Sequence, residues 1–132
     1  MTISEVARRS GLPVKTVRYY DEIGLVVAHR SDNGYRSYDA AMLNKLRFLQ
    51  RARSLGFSIE DCRSLLSLYQ DKHRASADVK KMAQARIDDI EKKLAELQSL
   101  KATLQALTQA CHGDDRPDCP IIDDLAGIRQ PD

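Results

Sequence analysis

Polar and apolar positions change their rhythm several times along the chain, and each change predicts an element. Thr2 and Glu5 form a T-x-x-E capping pattern that can start a helix. Ile3, Val6 and Ala7 then fall on one face, and Gly11 permits the turn that ends it. Pro13 can open the next helix, where its missing N–H costs nothing. Val14 and Val17 face inward on that helix, and Gly24 stops it after Ile23. Two short helices about a glycine-containing turn read as helix-turn-helix. In residues 25–38 the pattern changes. Leu25, Val26 and Val27 are β-prone, Asn33-Gly34 is a strong hairpin signal, and Tyr35, Arg36 and Tyr38 follow. A small β-hairpin, or wing, is predicted there.

Helical spacing then resumes. Asp39 can cap a third helix carrying Met42, Leu43, Leu46 and Leu49, closed by Gly56. Ser58 and Asp61 start a fourth, with Ile59, Cys62, Leu65, Leu66 and Leu68 recurring on it. The polar stretch QDKHRAS reads as a hinge. Ser76 caps a long helix to about Ala110, striped by Val79, Ala83, Ile87, Ile90, Leu94, Leu97, Leu100, Leu104 and Leu107. At 1.5 Å per residue that helix is roughly 50 Å long. No other element is large enough to cover its stripe, so it is expected to pair with a second copy in a parallel or antiparallel coiled coil. Gly113 and Pro117 exclude a long helix after it. Pro120 can open one short turn bearing Ile121, Ile122 and Leu125, and the terminal residues are expected to be mobile. The fold class is therefore mainly α: a winged helix-turn-helix domain over 1–70, a hinge over 71–75, a dimerisation helix over 76–110, and a loop and tail over 111–132.

Charge sharpens this picture. Net charge is only +2 over 132 residues. Residues 1–56, however, hold ten Lys/Arg against five Asp/Glu, a balance of +5, and the remainder stands at −3. A basic front half is the footprint of a polyanion partner, although a solvated surface would look the same. The second helix of a helix-turn-helix enters the major groove. Here it is PVKTVRYYDEIG: Lys15, Thr16, Arg18 and Tyr19 lie on or near its exposed face, with Tyr20 towards one edge. Arg can bridge guanine O6 and N7, and Lys and Tyr take phosphate. Tyr35 and Arg36 sit where a wing would make a second backbone contact. Double-stranded DNA is the expected partner.

The first ten residues, MTISEVARRS, lack the apolar run of a signal peptide, and no stretch approaches the ~20 apolar residues of a membrane span. The expectation is a cytoplasmic protein with no membrane partner, whose Cys62, Cys111 and Cys119 are reduced. Cys62 falls at an inward helix position and reads as a small buried side chain. Cys111 and Cys119 are separated by seven residues in a loop rich in Gly, Pro and Asp, too far for a CxxC motif. Two thiolates without a third ligand suit a soft monovalent ion such as Cu(I) better than zinc, which prefers four ligands. They could equally be two unrelated thiols, or a redox pair that closes to a disulfide. His112 could add a nitrogen, although side chains of adjacent residues diverge at a helix end. Asp114, Asp115 and Asp118 are poor soft-metal ligands that solvate the loop and shape its turns. No His-activated cysteine dyad supports an enzyme.

ISEVARRSGLPVKTVRYYDEIGLV, then NGYRSYD and LRFLQRARSLGFSIEDCRSLL, closely resemble the MerR family of transcription regulators over nearly the whole chain. The resemblance implies a winged helix-turn-helix, an antiparallel dimerisation helix and a C-terminal effector site. It also implies activation by distorting an overlong promoter spacer so that RNA polymerase can engage both promoter elements. By the same resemblance Lys15, Arg18, Tyr20, Tyr35 and Arg36 are DNA contacts. ACHGDDRPDCPII looks like the metal loop of the copper-efflux-regulator branch, in which the two cysteines hold the metal linearly; His112 and Pro117 depart from that loop. That branch carries a serine, here Ser76, where zinc-type members carry cysteine. The implied effector is Cu(I), with Ag(I) and Au(I) as congeners. A bis-thiolate complex of such an ion carries a net negative charge that needs compensation. The N-terminus of the short helix after Pro120 offers it, and Lys80 matches the family position expected nearby, although it could be an ordinary exposed helix lysine.

Overall fold

A computed structural model describes residues 1–127, so the terminal residues expected to be mobile lie outside the described part. Its contacts divide it into two compact units, Met1–Arg86 and Ile87–Asp132. The elements run α1 (Ile3–Ser10), α2 (Val14–Glu22), β1 (His29–Arg30), β2 (Arg36–Ser37), α3 (Ala40–Ser54), α4 (Ile59–Gln70), α5 (Ser76–Ala110) and α6 (Pro120–Leu125).

Local chemistry sets most of these boundaries. The Thr2, Asp39 and Ser58 side chains accept the backbone N–H of Glu5, Met42 and Asp61, each satisfying a donor that a helix start leaves unpaired. Gly11 turns α1 into α2 with φ at +75°, a conformation other residues adopt at a cost. Pro13 lies just outside α2 in extended conformation, and Val14 is its first helical residue.

The first unit closes over one apolar core. Val6 from α1, Val17 from α2, Leu46 and Leu49 from α3 and Cys62 from α4 are fully buried. Long-range polar ties add to it. The Met1 ammonium donates to the Tyr38 carbonyl at 2.7 Å, and the Tyr38 amide donates back to the Met1 carbonyl at 2.9 Å. The Arg63 guanidinium of α4 donates to the Ile23 carbonyl at the end of α2, at 3.0 Å.

Leu25–Val27 do not form the expected strand. The amides of Leu25 and Val26 turn back onto the Tyr20 carbonyl at 2.8 and 3.2 Å, and both side chains are buried. Their hydrophobicity is spent closing the end of α2. The hairpin is shorter, pairing His29 with Ser37 and Arg30 with Arg36 in antiparallel register. At its tip the Gly34 amide bonds the Ser31 carbonyl at 2.9 Å, and only Gly34 has positive φ. The turn is therefore type I followed by a left-handed glycine.

Asp21, near the end of α2, fastens this wing. One of its carboxylate oxygens accepts Arg36 Nε at 2.7 Å and Arg30 Nη2 at 3.1 Å, and the other accepts the Ala28 amide at 3.0 Å. Its side chain is only 6% exposed. Burial works to raise its pKa; the Arg36 and Ala28 hydrogen bonds and the two guanidinium charges outweigh burial and hold it below the ordinary 3.8. A lowered folded-state pKa contributes stability that is present above the unfolded value and lost as pH falls through the folded one.

In the second unit, α5 continues from Ile87 to Ala110 and leads through the loop to α6, which opens on Pro120. Arg116 pairs with Asp114 at 2.8 Å, and its amide bonds the same carboxylate at 2.9 Å, so Asp114 shapes a turn. Among the described residues no helix is long and apolar enough to cross a membrane.

Removing the Asp21 carboxylate leaves two guanidinium groups and a backbone amide without their acceptor. Asp21→Ala is expected to lower unfolding free energy by about 2 kcal/mol in urea titrations at neutral pH. Asp21→Asn should flatten the loss of stability that the parent protein shows as pH falls below 3.8. An unchanged acid limb in that variant would remove Asp21 as its source.

Candidate nucleic-acid interface and dithiol loop

The outer face of α2 follows from its period. Val17 and Tyr20 are three residues apart, so both turn inward, which leaves Lys15, Arg18 and Tyr19 outside. Lys15 and Arg18 are exposed, Thr16 is half-buried, and Tyr19 is 42% exposed. Lys15, Thr16 and Tyr19 line one open depression with Leu12, Arg53 and Ile59. Tyr35 at the wing tip is 73% exposed.

Two of the predicted contact residues are placed differently. Tyr20, expected at an edge, is buried to 3% exposure on the Val17 face of α2. Burial raises its phenol pKa, against the lowering effect of Arg53, whose guanidinium is hydrogen-bonded to it. Arg36 keeps only 20% of its side chain exposed because its guanidinium is committed to Asp21. Tyr20 thus lies in the core and Arg36 lies against Asp21. Asp21 was not anticipated as a site residue. The only hint was an acidic residue within a basic segment, with Arg30 and Arg36 downstream.

The second unit brings Cys111 and Cys119 together. Their Sγ atoms are 4.0 Å apart, the Cys111 thiol donating to the Cys119 sulfur. Cys111 follows the last turn of α5, its amide bonding the Leu107 and Thr108 carbonyls. Cys119 is the residue before Pro120 and caps α6. The backbone N–H of Ile122, then that of Ile121 and the Cys111 thiol, stabilise the Cys119 thiolate and lower its pKa from 9.0. Burial and Asp123 oppose them. Both thiols are partly accessible. The pair thus offers two soft donors, one with its pKa lowered, a set that fits a thiophilic ion. His112 is exposed, and among the described residues no group of three or more His, Cys, Asp and Glu side chains is arranged to hold a metal. Cys62, by contrast, is fully buried, and burial raises its pKa. Ser76 and Lys80 are exposed one turn apart at the start of α5, within the first unit.

Comparison with known proteins gives the family of the chain. Residues 1–68 match the profile of the MerR HTH family regulatory protein, and residues 43–107 that of MerR, DNA binding. The chain is 57% identical over 126 residues to the HTH-type transcriptional regulator HmrR of Rhizobium leguminosarum bv. viciae, covering 96% of this chain and 98% of that protein. It is 48% identical over 128 residues to the HTH-type transcriptional regulator CueR of Salmonella typhimurium, covering 96% and 93%. The crystal structure of the transcription regulator PbrR691 from Ralstonia metallidurans CH34 in complex with lead(II) superposes with a TM-score of 0.80 at 29% identity, covering 95% of this chain and 98% of that one.

The thiol environments predict an order of reactivity. Alkylation with a small reagent at neutral pH, followed by peptide mass spectrometry, should modify Cys119 first and leave Cys62 protected until the protein unfolds. Faster labelling of Cys62 would contradict the burial and polarisation described here.

Proposed function

The chain belongs to the MerR family of helix-turn-helix regulatory proteins, and from that premise we propose that it is a cytoplasmic transcriptional activator that senses Cu(I), or its congeners Ag(I) and Au(I), through Cys111 and Cys119. MerR regulators bind promoter DNA as homodimers and are regulators rather than enzymes. Metal-responsive transcription control is what the similarity to CueR, to the lead(II)-bound regulator and to a heavy metal-dependent regulator of Rhizobium meliloti supports. The observation that carries the finer reading is the pair of sulfurs 4.0 Å apart, with backbone amides lowering the Cys119 pKa. When bound, a monovalent d¹⁰ ion supplies a soft acid that both sulfurs satisfy without further ligands.

Each part of the chain then has a task. Residues 1–70 read DNA, 71–75 connect, 76–110 dimerise and 111–132 hold the effector. Lys15, Thr16, Arg18 and Tyr19 present the recognition surface, and Tyr35 adds a wing contact. Tyr20 and Arg36 hold that surface in shape from beneath. Along α5, Ile87, Ile90, Leu94, Leu97, Leu100 and Leu104 are 40–62% exposed in the single chain, a stripe that a second copy would cover. Antiparallel pairing sets the first turn of one helix against the last turn of the other. Ser76 and Lys80 of the partner subunit would then stand beside the cysteine loop, the serine withholding a third thiolate and the lysine balancing negative charge. The two DNA-reading heads keep their grip on the promoter. Activation is a distortion of the DNA between them that lets RNA polymerase engage both promoter elements.

In purified transcription with buffered Cu(I), Cys111→Ser and Cys119→Ser should each keep operator affinity within about twofold and lose induction by about tenfold or more. Induction that survives both substitutions would overturn the metal reading. A peroxide-driven switch through a Cys111–Cys119 disulfide, without metal, would replace it with a redox one. Arg18→Ala, which removes one guanidinium from each subunit of the dimer, should weaken binding and reduce the slope of log K against log salt by about 1.8, two phosphates' worth. An unchanged slope would place Arg18 away from the backbone.

A further inference from the structure

Between Ser76 and Arg86, the part of α5 that belongs to the first unit, only Met82 and Arg86 are even half-buried. They are one turn apart and share a face. Met82 packs against the apolar core of the DNA-reading unit. Arg86 reaches the end of α3, where its Nε donates to the Leu55 carbonyl at 2.9 Å. Leu55 caps α3, whose last carbonyls lack helical partners, and a guanidinium there also meets the negative end of the helix dipole. The guanidinium lies over Gly56, at the space a Cβ would need. Gly56 has φ at +86°, so the absence of a side chain serves the turn and the close approach together. The same turn is held from within by Arg53, which donates to the Phe57 carbonyl at 2.7 Å.

We infer that Arg86 is a positioning residue that makes the DNA-reading unit follow the dimerisation helix, so that a change in α5 is carried to the end of α3 and onward to the promoter. The inference rests on the metal-responsive reading above but concerns a residue that touches neither metal nor DNA. A side chain that slides along an apolar surface transmits little. A directional hydrogen bond to a fixed backbone carbonyl, with the guanidinium seated against a glycine, resists rotation as well as separation. Met82 provides adhesion and Arg86 provides the angle. Arg63, which bonds the Ile23 carbonyl at the end of α2, then joins α4 to the recognition helix in the same manner.

The test uses the full-length dimer on an operator duplex labelled at both ends for energy transfer. Four quantities are read on the wild type, Arg86→Ala and Arg86→Lys: thermal stability, apo operator affinity, Cu(I) affinity, and the metal-dependent change in end-to-end transfer alongside transcription. Arg86→Ala should keep operator and Cu(I) affinities within about twofold. Its metal-dependent DNA distortion and induction should fall by about tenfold. Arg86→Lys, which can still donate to Leu55 but cannot lay a planar group over Gly56, should recover part of the distortion. A wild type that shows no response to Cu(I) would sink the metal reading itself. A responsive wild type with an equally responsive Arg86→Ala would sink the role of Arg86 alone. Loss of operator affinity in parallel with induction and stability, unrescued by lysine, would reduce Arg86 to a structural brace and overturn the inference.

Discussion

The bond between Asp21 and Arg36 is the constraint on which the DNA-reading half depends. A two-residue ladder cannot hold a hairpin in water, so the wing must be fixed from outside. Asp21 does this from the recognition helix itself, gathering Arg36, Arg30 and the Ala28 amide onto one nearly buried carboxylate. Helix and wing consequently move as one piece. An acidic residue inside a basic surface looks unfavourable for a polyanion partner, yet it is turned away from solvent and neutralised by the two arginines it orders. The surface left outside is Lys15, Arg18, Tyr19 and Tyr35.

The same device recurs at larger scale. Arginine side chains reach helix ends that would otherwise leave carbonyls unpaired: Arg63 at the end of α2, Arg53 beyond α3, Arg86 at the α3 terminus. Arg63 and Arg86 join elements distant in sequence through a backbone group, which has no rotamers of its own to lose, while Arg53 closes the turn after α3 locally. The effector loop is built differently. Its two sulfurs are brought together by the end of α5 and the start of α6, with Gly113 and the Asp114–Arg116 pair shaping the turn between them. The unit that binds DNA is stiffened by long-range polar ties; the unit proposed to sense metal is closed by local turns.

How much of this could be read from sequence depended on range. Capping at Thr2, Asp39 and Ser58, the glycine stops and the limits of α5 are local, and the pattern of the chain carries them in full. The helix-turn-helix and the wing followed from the same signals, and their family was recognisable from runs of identity. What depended on contacts between distant residues was not legible. Leu25–Val27 have strand composition but close α2, because its last turn offers them a free carbonyl. Tyr20 has a phenol suited to phosphate, but its helical phase matches Val17 and takes it into the core. Arg36 looks like a free cation until Asp21, fifteen positions earlier, is placed beside it. At the cysteines, spacing left metal, redox and accident open; the 4.0 Å approach and the amides behind Cys119 argue against accident and suit either of the other two.

The proposed sensor turns on two sulfurs alone holding a soft monovalent effector. X-ray absorption at the copper edge on the Cu(I)-loaded dimer reads the donor set directly. A first shell of sulfur only is expected, at a coordination number of about two, abolished in either cysteine variant. A shell containing nitrogen or oxygen, or three or more sulfurs, would contradict it.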